Sequence, residues 1–171
     1  MRRTLYCGSL REQHARTQVI LEGWVNRRRD LGGLIFIDLR DREGIVQVIV
    51  NPDSPSFAEA SKVRSEWVVR VEGVVRSRPA EQVNHKISTG AVEVVAQRLE
   101  VLAEARTPPF PIDAGWRGEE DQGVNEEVRL KNRVMDLRRK RLHENLRLRH
   151  RVIAAIYRFL DAEGFIGVET P

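Results

Sequence analysis

The sequence predicts a mainly β fold: five short strands closing a barrel, then a proline-rich linker, then one amphipathic helix with a strand behind it. Three observations carry this. Apolar and polar residues alternate in segments before residue 103. Asp/Gly turns separate the first three segments. Prolines cluster at 108–111, and a long run of apolar residues at three- and four-residue spacing follows them.

The first strand is expected from Val19 to Arg29, ended by the turn Asp30-Leu31-Gly32-Gly33. The second runs from Leu34 to Arg40, followed by the turn Asp41-Arg42-Glu43-Gly44, and the third from Ile45 to Asn51. Both turns carry the Asp/Gly chemistry of hairpins. Pro52 to Pro55 breaks the run, and Ser56 to Arg64 reads as a short helix with Phe57, Ala58, Ala60 and Val63 as its apolar residues. A fourth strand spans Trp67 to Arg78, closed by Pro79, and a fifth Gly90 to Leu102. Three strands, a helix and two strands is the order of the OB-fold, a five-stranded barrel that binds oligonucleotides across one face. Another small β-barrel would share the strand count.

Three prolines in four positions, Pro108, Pro109 and Pro111, make a stiff extended linker. The expected division is therefore a barrel at 1–105, a linker at 106–125 and a separate segment at 126–171. In that last segment Leu142, Leu146, Ile153, Ile156 and Leu160, with Val152 and Phe159, line one helix face, which Gly164 stops. Phe165 to Thr170 alternates like a strand. A lone helix and strand cannot bury their apolar faces, so their partner is expected beyond Pro171 or on another chain. The sequence reads as the N-terminal part of something longer.

Composition bounds the function. The 171 residues are 41% hydrophobic and 32% charged, with a formal net charge of +4. The charge is unevenly placed: Asp113 to Glu126 is acidic, and ten basic residues lie between Glu127 and Arg151. The single cysteine, Cys7, permits no disulfide within the chain and suits a cytoplasmic protein. No apolar run approaches the roughly 20 residues that span a bilayer, and Met1 to Tyr6 lacks the apolar core of a signal peptide. His14, His85, His143 and His150 are scattered, no phosphate-cradling glycine loop is present, and neither a catalytic set nor a metal site is expected. The carboxylates Asp38 and Asp41 are expected to fix Arg40 or Arg42.

The chemistry concentrates in Gly23-Trp24-Val25-Asn26-Arg27-Arg28-Arg29-Asp30, which leads through a glycine turn into Ile35-Phe36-Ile37-Asp38. Consecutive arginines repel one another unless anions partner them, and an aromatic beside them can stack on an unpaired base. Alternation assigns Ile35, Ile37 and Leu39 to the core and leaves Phe36 on the other face. By the same rule Gln47, Arg78 and Glu93 share that face, with Arg27 and Arg29 at its edge. A ring, an amide, a carboxylate and arginines together make a base-reading surface.

These segments, with Arg40-Asp41-Arg42-Glu43-Gly44, Thr107-Pro108-Pro109-Phe110-Pro111, Arg129-Leu130-Lys131-Asn132-Arg133 and Asp136-Leu137-Arg138-Arg139, resemble the N-terminal region of bacterial aspartyl-tRNA synthetases over nearly the whole chain. That family is a class II ligase which activates L-aspartate with ATP and Mg2+ and transfers it to the 3′ end of tRNA(Asp). The resemblance implies an anticodon-reading OB domain. In it Phe36 stacks on the central base, Gln47 bonds that base's edge, and Arg27, Arg29, Arg78 and Glu93 contact the flanking bases and backbone. Leu31 and Lys86 occupy neighbourhoods that the family associates with accepting tRNA(Asp) alone or tRNA(Asn) as well. The helix ending at Pro171 resembles motif 1, which builds the homodimer interface and here carries Ile153, Ile156 and Leu160. The ATP-binding motifs 2 and 3 would lie further on, so the chain by itself is expected to bind tRNA without aminoacylating it. The competing readings are a stand-alone OB module that binds single-stranded nucleic acid and the OB domain of an asparaginyl- or lysyl-type synthetase.

Overall fold

The computed structural model describes residues 2–113, 115–116 and 123–169. Five strands close a barrel: β1 (Gln18–Leu31), β2 (Leu34–Asp41), β3 (Gly44–Val50), β4 (Val68–Ser77) and β5 (Val92–Ala103). Their order around the barrel is β1-β2-β3-β5-β4, and β4 pairs back onto β1. All pairs are antiparallel except β3 with β5. Helix α1 (Phe57–Lys62) sits between β3 and β4. This is the OB-fold.

Alternation builds the core. Val19, Leu21 and Val25 point inward from β1, and Ile35, Ile37 and Leu39 from β2. Val46, Val48 and Val50 join them from β3, Val69, Val71 and Val75 from β4, and Val92 and Val94 from β5. Each such side chain contributes roughly 1.5–3 kcal/mol by burial. Ala60 of α1 and the adjoining Val63 close one end. The glycine of Gly23-Trp24 has a packing reason: a Cβ there would lie 2.4 Å from the Arg40 carbonyl oxygen.

The first turn is tighter than expected. β1 continues through Asp30 to Leu31, and the reversal takes only Gly32 and Gly33, at φ +62° and +84°. Two successive left-handed residues form the hairpin turn whose twist matches the strands. In the second turn Asp41 Oδ1 accepts the Glu43 N–H at 2.9 Å. The other carboxylate oxygen accepts the N–H of the buried Cys7 at 2.6 Å.

The chain divides into two compact units, Met1–Asp121 and Gln122–Pro171. The second holds α2 (Glu126–Lys131), α3 (Arg133–Asp136) and α4 (Lys140–Ala162). The Asn125 side chain caps α2 by accepting the Glu127 N–H at 2.9 Å. Buried Asp136 accepts from Arg129 (2.9 Å), Arg133 (2.6 Å) and Arg139 (3.4 Å). Burial alone would raise its pKa; these guanidiniums, Arg129 foremost, outweigh that and hold it below the ordinary aspartate value.

Helix α4 is the expected amphipathic helix, ending before Gly164 at φ +83°. None of its residues is buried. The strand expected over Phe165 to Thr170 does not form: residues 165–169 are irregular, and Thr170 lies outside the described residues. Alternation supplies a face, but a strand also needs a neighbour for its N–H and C=O groups. Among the described residues none pairs there. Half of the acidic stretch of 113–126 lies outside the described residues, at 114 and 117–122.

Candidate nucleic-acid interface

A bulge in β1 decides where the arginine run points. Val25 lies opposite Leu39 and Arg27 opposite Asp38, so Asn26 is one residue too many for the ladder. Alternation counted from Val25 would turn Arg27 and Arg29 inward. The extra residue reverses their phase and turns both onto the outer face.

Residues opposite each other in a ladder share a face. Arg27 is paired with Asp38, Arg29 with Phe36, and Asp38 in turn with Gln47. Side-chain bonds tie the row together. Arg29 Nη2 donates to Asp38 Oδ1 at 3.1 Å and to Gln47 Oε1 at 3.4 Å. Gln47 Nε2 donates to Glu93 Oε2 at 3.2 Å. Arg76 donates to Glu93 Oε1 from Nη2 at 2.6 Å and from Nε at 3.0 Å. Arg78 Nε lies 3.5 Å from Glu93 Oε2. The face thus brings Arg27, Arg29, Phe36, Gln47, Arg78 and Glu93 together.

Their exposures differ. Arg27 and Arg28 are exposed, and Phe36 and Gln47 are half-buried. Glu93 is 2% exposed. Its carboxylate is not the open group that alternation suggested, because it is covered by the cations and the amide it binds. The Arg29 guanidinium stands 6.0 Å from the centre of the Phe36 ring, at the outer reach of a cation–π contact.

Leu31 is 59% exposed at the tip of β1. Lys86 is exposed in the segment joining β4 to β5, where its N–H donates to Asn84 Oδ1 at 3.0 Å. On α4, Ile153 and Ile156 are exposed and Leu160 is half-buried. Pro171 lies outside the described residues.

Three contributors escaped the sequence reading. Asp38 was expected to fix Arg40 or Arg42, but it pairs with Arg29. Arg76 lies two residues before Arg78, on the face that alternation gives to both, and the ladder sets it opposite Glu93. Arg40 is 2% exposed and bonds Glu66 twice, at 2.7 and 2.8 Å, an acidic partner 26 residues away. Arg42 pairs with Glu43 at 3.2 Å and stands 4.5 Å over the Tyr6 ring.

Such a face can stack a base on Phe36, hydrogen-bond its edge through Gln47, and neutralise phosphates with arginines. Comparison with known proteins agrees with that chemistry. Residues 19–102 match the model of the OB-fold nucleic acid binding domain, and residues 125–171 that of tRNA synthetases class II (D, K and N). The chain is 50% identical over 173 residues to the aspartate–tRNA ligase of Geobacillus kaustophilus, covering 100% of this chain and 28% of that protein. It is 51% identical over 171 residues to the aspartate–tRNA ligase of Deinococcus deserti, with the same coverage. The crystal structure of asparaginyl-tRNA synthetase from Pyrococcus horikoshii complexed with asparaginyl-adenylate superposes with a TM-score of 0.78 at 26% identity, over 98% of this chain and 36% of that one. The chain spans 28% of the length of these curated relatives. Its OB barrel is followed by a segment that matches the class II tRNA synthetases (D, K and N), and along its whole length the chain is similar to the aspartate–tRNA ligases over 28% of their length.

Proposed function

We propose that this chain reads the anticodon of tRNA(Asp) within a ligase that joins L-aspartate to that tRNA using ATP and Mg2+. The observation that carries the reading is the co-facial row Arg29–Phe36–Gln47–Glu93, with arginines at both ends. Phe36 stacks on the central anticodon base and Gln47 bonds its edge. Arg27, Arg29 and Arg78 hold the flanking nucleotides, with Glu93 orienting Arg78 and Gln47. ATP and Mg2+ serve the whole ligase. Among the described residues no group of three or more His, Cys, Asp or Glu could hold a metal ion. The parent is a cytoplasmic homodimer, its α4 contributing Ile153, Ile156 and Leu160 to the subunit contact. Among the described residues no helix is long and apolar enough to cross a membrane.

The test is titration of the chain with anticodon stem-loops carrying GUC, GUU and an unrelated triplet, at one fixed salt concentration. Preference for GUC, lost on Phe36→Ala, supports the reading. Indifference to all three overturns it. A preference for GUU would favour an asparaginyl-type parent, a reading supported by the fold likeness at 26% identity against about 50% for the aspartate ligases. Leu31 and Lys86 are proposed to sharpen the choice of the third base. Leu31→His should narrow the gap between GUC and GUU, and an unchanged gap would remove Leu31 from that role.

A further inference from the structure

The cluster Arg40–Glu66–Asn26 is built into the bulge that aims the arginine run. Arg40 Nη1 donates to Asn26 Oδ1 at the bulge itself, and Nη2 donates to both Glu66 carboxylate oxygens. All three residues are at most 4% exposed. The Trp116 ring lies 5.6 Å from the Arg40 guanidinium. The backbone is tied at the same place: the Glu66 N–H donates to the Val25 carbonyl at 2.7 Å, and the Val25 N–H to the Trp67 carbonyl at 2.8 Å. Glu66 holds φ +66°, a left-handed conformation uncommon for a glutamate. Backbone geometry of that kind persists where its surroundings over-determine it.

A bulge leaves one residue without a ladder partner, and the competing register has none unpaired. Slipping β1 by one residue would send Arg27 and Arg29 to the opposite face. The Asn26 side chain meets Arg40 only when Asn26 occupies the extra position.

We infer that Asn26, Arg40 and Glu66 are positioning residues: they lock the β1 bulge, and so place Arg27 and Arg29 on the face of Phe36 and Gln47. The inference rests on the anticodon reading for its consequence, though not for its geometry. The cluster acts on nucleic acid through Arg27 and Arg29 alone.

The experiment compares Asn26→Ala and Asn26→Asp with the unsubstituted chain. Nuclear Overhauser contacts between β1 and β2 report the register, and titration with the GUC stem-loop reports binding, each with and without Arg29→Ala. Asn26→Ala should stay folded, lose the Arg27–Asp38 and Arg29–Phe36 cross-strand contacts, and bind about tenfold more weakly, the scale of one lost charge-assisted bond. Arg29→Ala should then cost nothing further. Asn26→Asp keeps the acceptor for Arg40 and should restore both register and binding. An Asn26→Ala chain with native register, or with native binding and an undiminished Arg29→Ala effect, overturns the inference. An unfolded Asn26→Ala chain also overturns it, since the cluster would then hold the barrel as a whole. A changed register in a protein whose unsubstituted form ignores every stem-loop supports the cluster's hold on the bulge and overturns the anticodon reading instead.

Discussion

Arg29 and Asp38 meet diagonally across the β1–β2 ladder, with 3.1 Å between Nη2 and Oδ1. Asp38 is almost wholly buried and the Arg29 side chain 28% exposed, so the carboxylate anchors a guanidinium that still reaches solvent. Through Gln47 the same row continues to Glu93. The amide is thereby oriented, with Oε1 toward Arg29 and Nε2 toward Glu93. One amide hydrogen and one lone pair are used, and one of each remains. That pair matches the adjacent donor and acceptor on a uracil edge.

Gln47→Ala should therefore weaken binding of the GUC stem-loop by about 1–3 kcal/mol, the scale of a good base-edge pair. Gln47→Glu should cost at least as much, because it loses the donor and sets a carboxylate against Glu93. Calorimetric titration of both variants checks this. A Gln47→Glu chain that binds like the unsubstituted one would remove Gln47 from base reading.

Phe36 is half-buried on the outer face of β2, opposite Arg29. Phe36→Ala should cost about 1–3 kcal/mol of stem-loop binding, and Phe36→Tyr very little, since stacking needs only the flat ring. Equal losses in the two variants would point to disturbed packing. Thermal unfolding measured alongside separates the two causes.

Arg27 is exposed and, through the bulge, points outward. Arg27→Ala should reduce the slope of log K against log salt by about 0.7, the value for one phosphate contact on a single strand. The ratio of GUC to GUU affinities should stay unchanged, because a phosphate contact carries no sequence. Titrations at several salt concentrations measure both quantities, and a shifted ratio would make Arg27 a base contact.

Asp136 links the second unit to pH. Its folded pKa is lowered by Arg129, Arg139 and Arg133 against the opposing effect of burial. Below the unfolded value of about 3.9 the unfolded chain takes up a proton before the folded chain does. The stabilisation is thus complete above that pH and is lost as pH falls through the folded value. Asp136→Asn should destabilise the helical unit by about 2–3 kcal/mol near neutrality, discounted for the partly exposed Arg129 and Arg133. It should also flatten the acid end of the helical circular-dichroism profile. An unaltered acid transition would exclude Asp136 as its source.

The sequence by itself determined the barrel, its strand order, the core valines and isoleucines, and the helix α4. These follow from local rules: alternation at period two, spacing at three and four, and glycine pairs at turns. It also marked Phe36 and Gln47, whose faces follow by counting from the core residues Ile37 and Val48. Counting fails at Arg27 and Arg29, because Asn26 adds a residue to β1 and no local pattern announces it. The bulge is held by Arg40 and Glu66, partners brought together only when β2 and the start of β4 close around β1. Glu93 was legible as a face residue, yet its burial depended on arginines from the neighbouring strand. Residues 165–169 show the complementary limit: alternation can offer a strand, but only a neighbouring backbone can make one. The sequence thus set which groups are present. Ladder register and long-range ion pairs, which are properties of the closed barrel, set which way the arginines face.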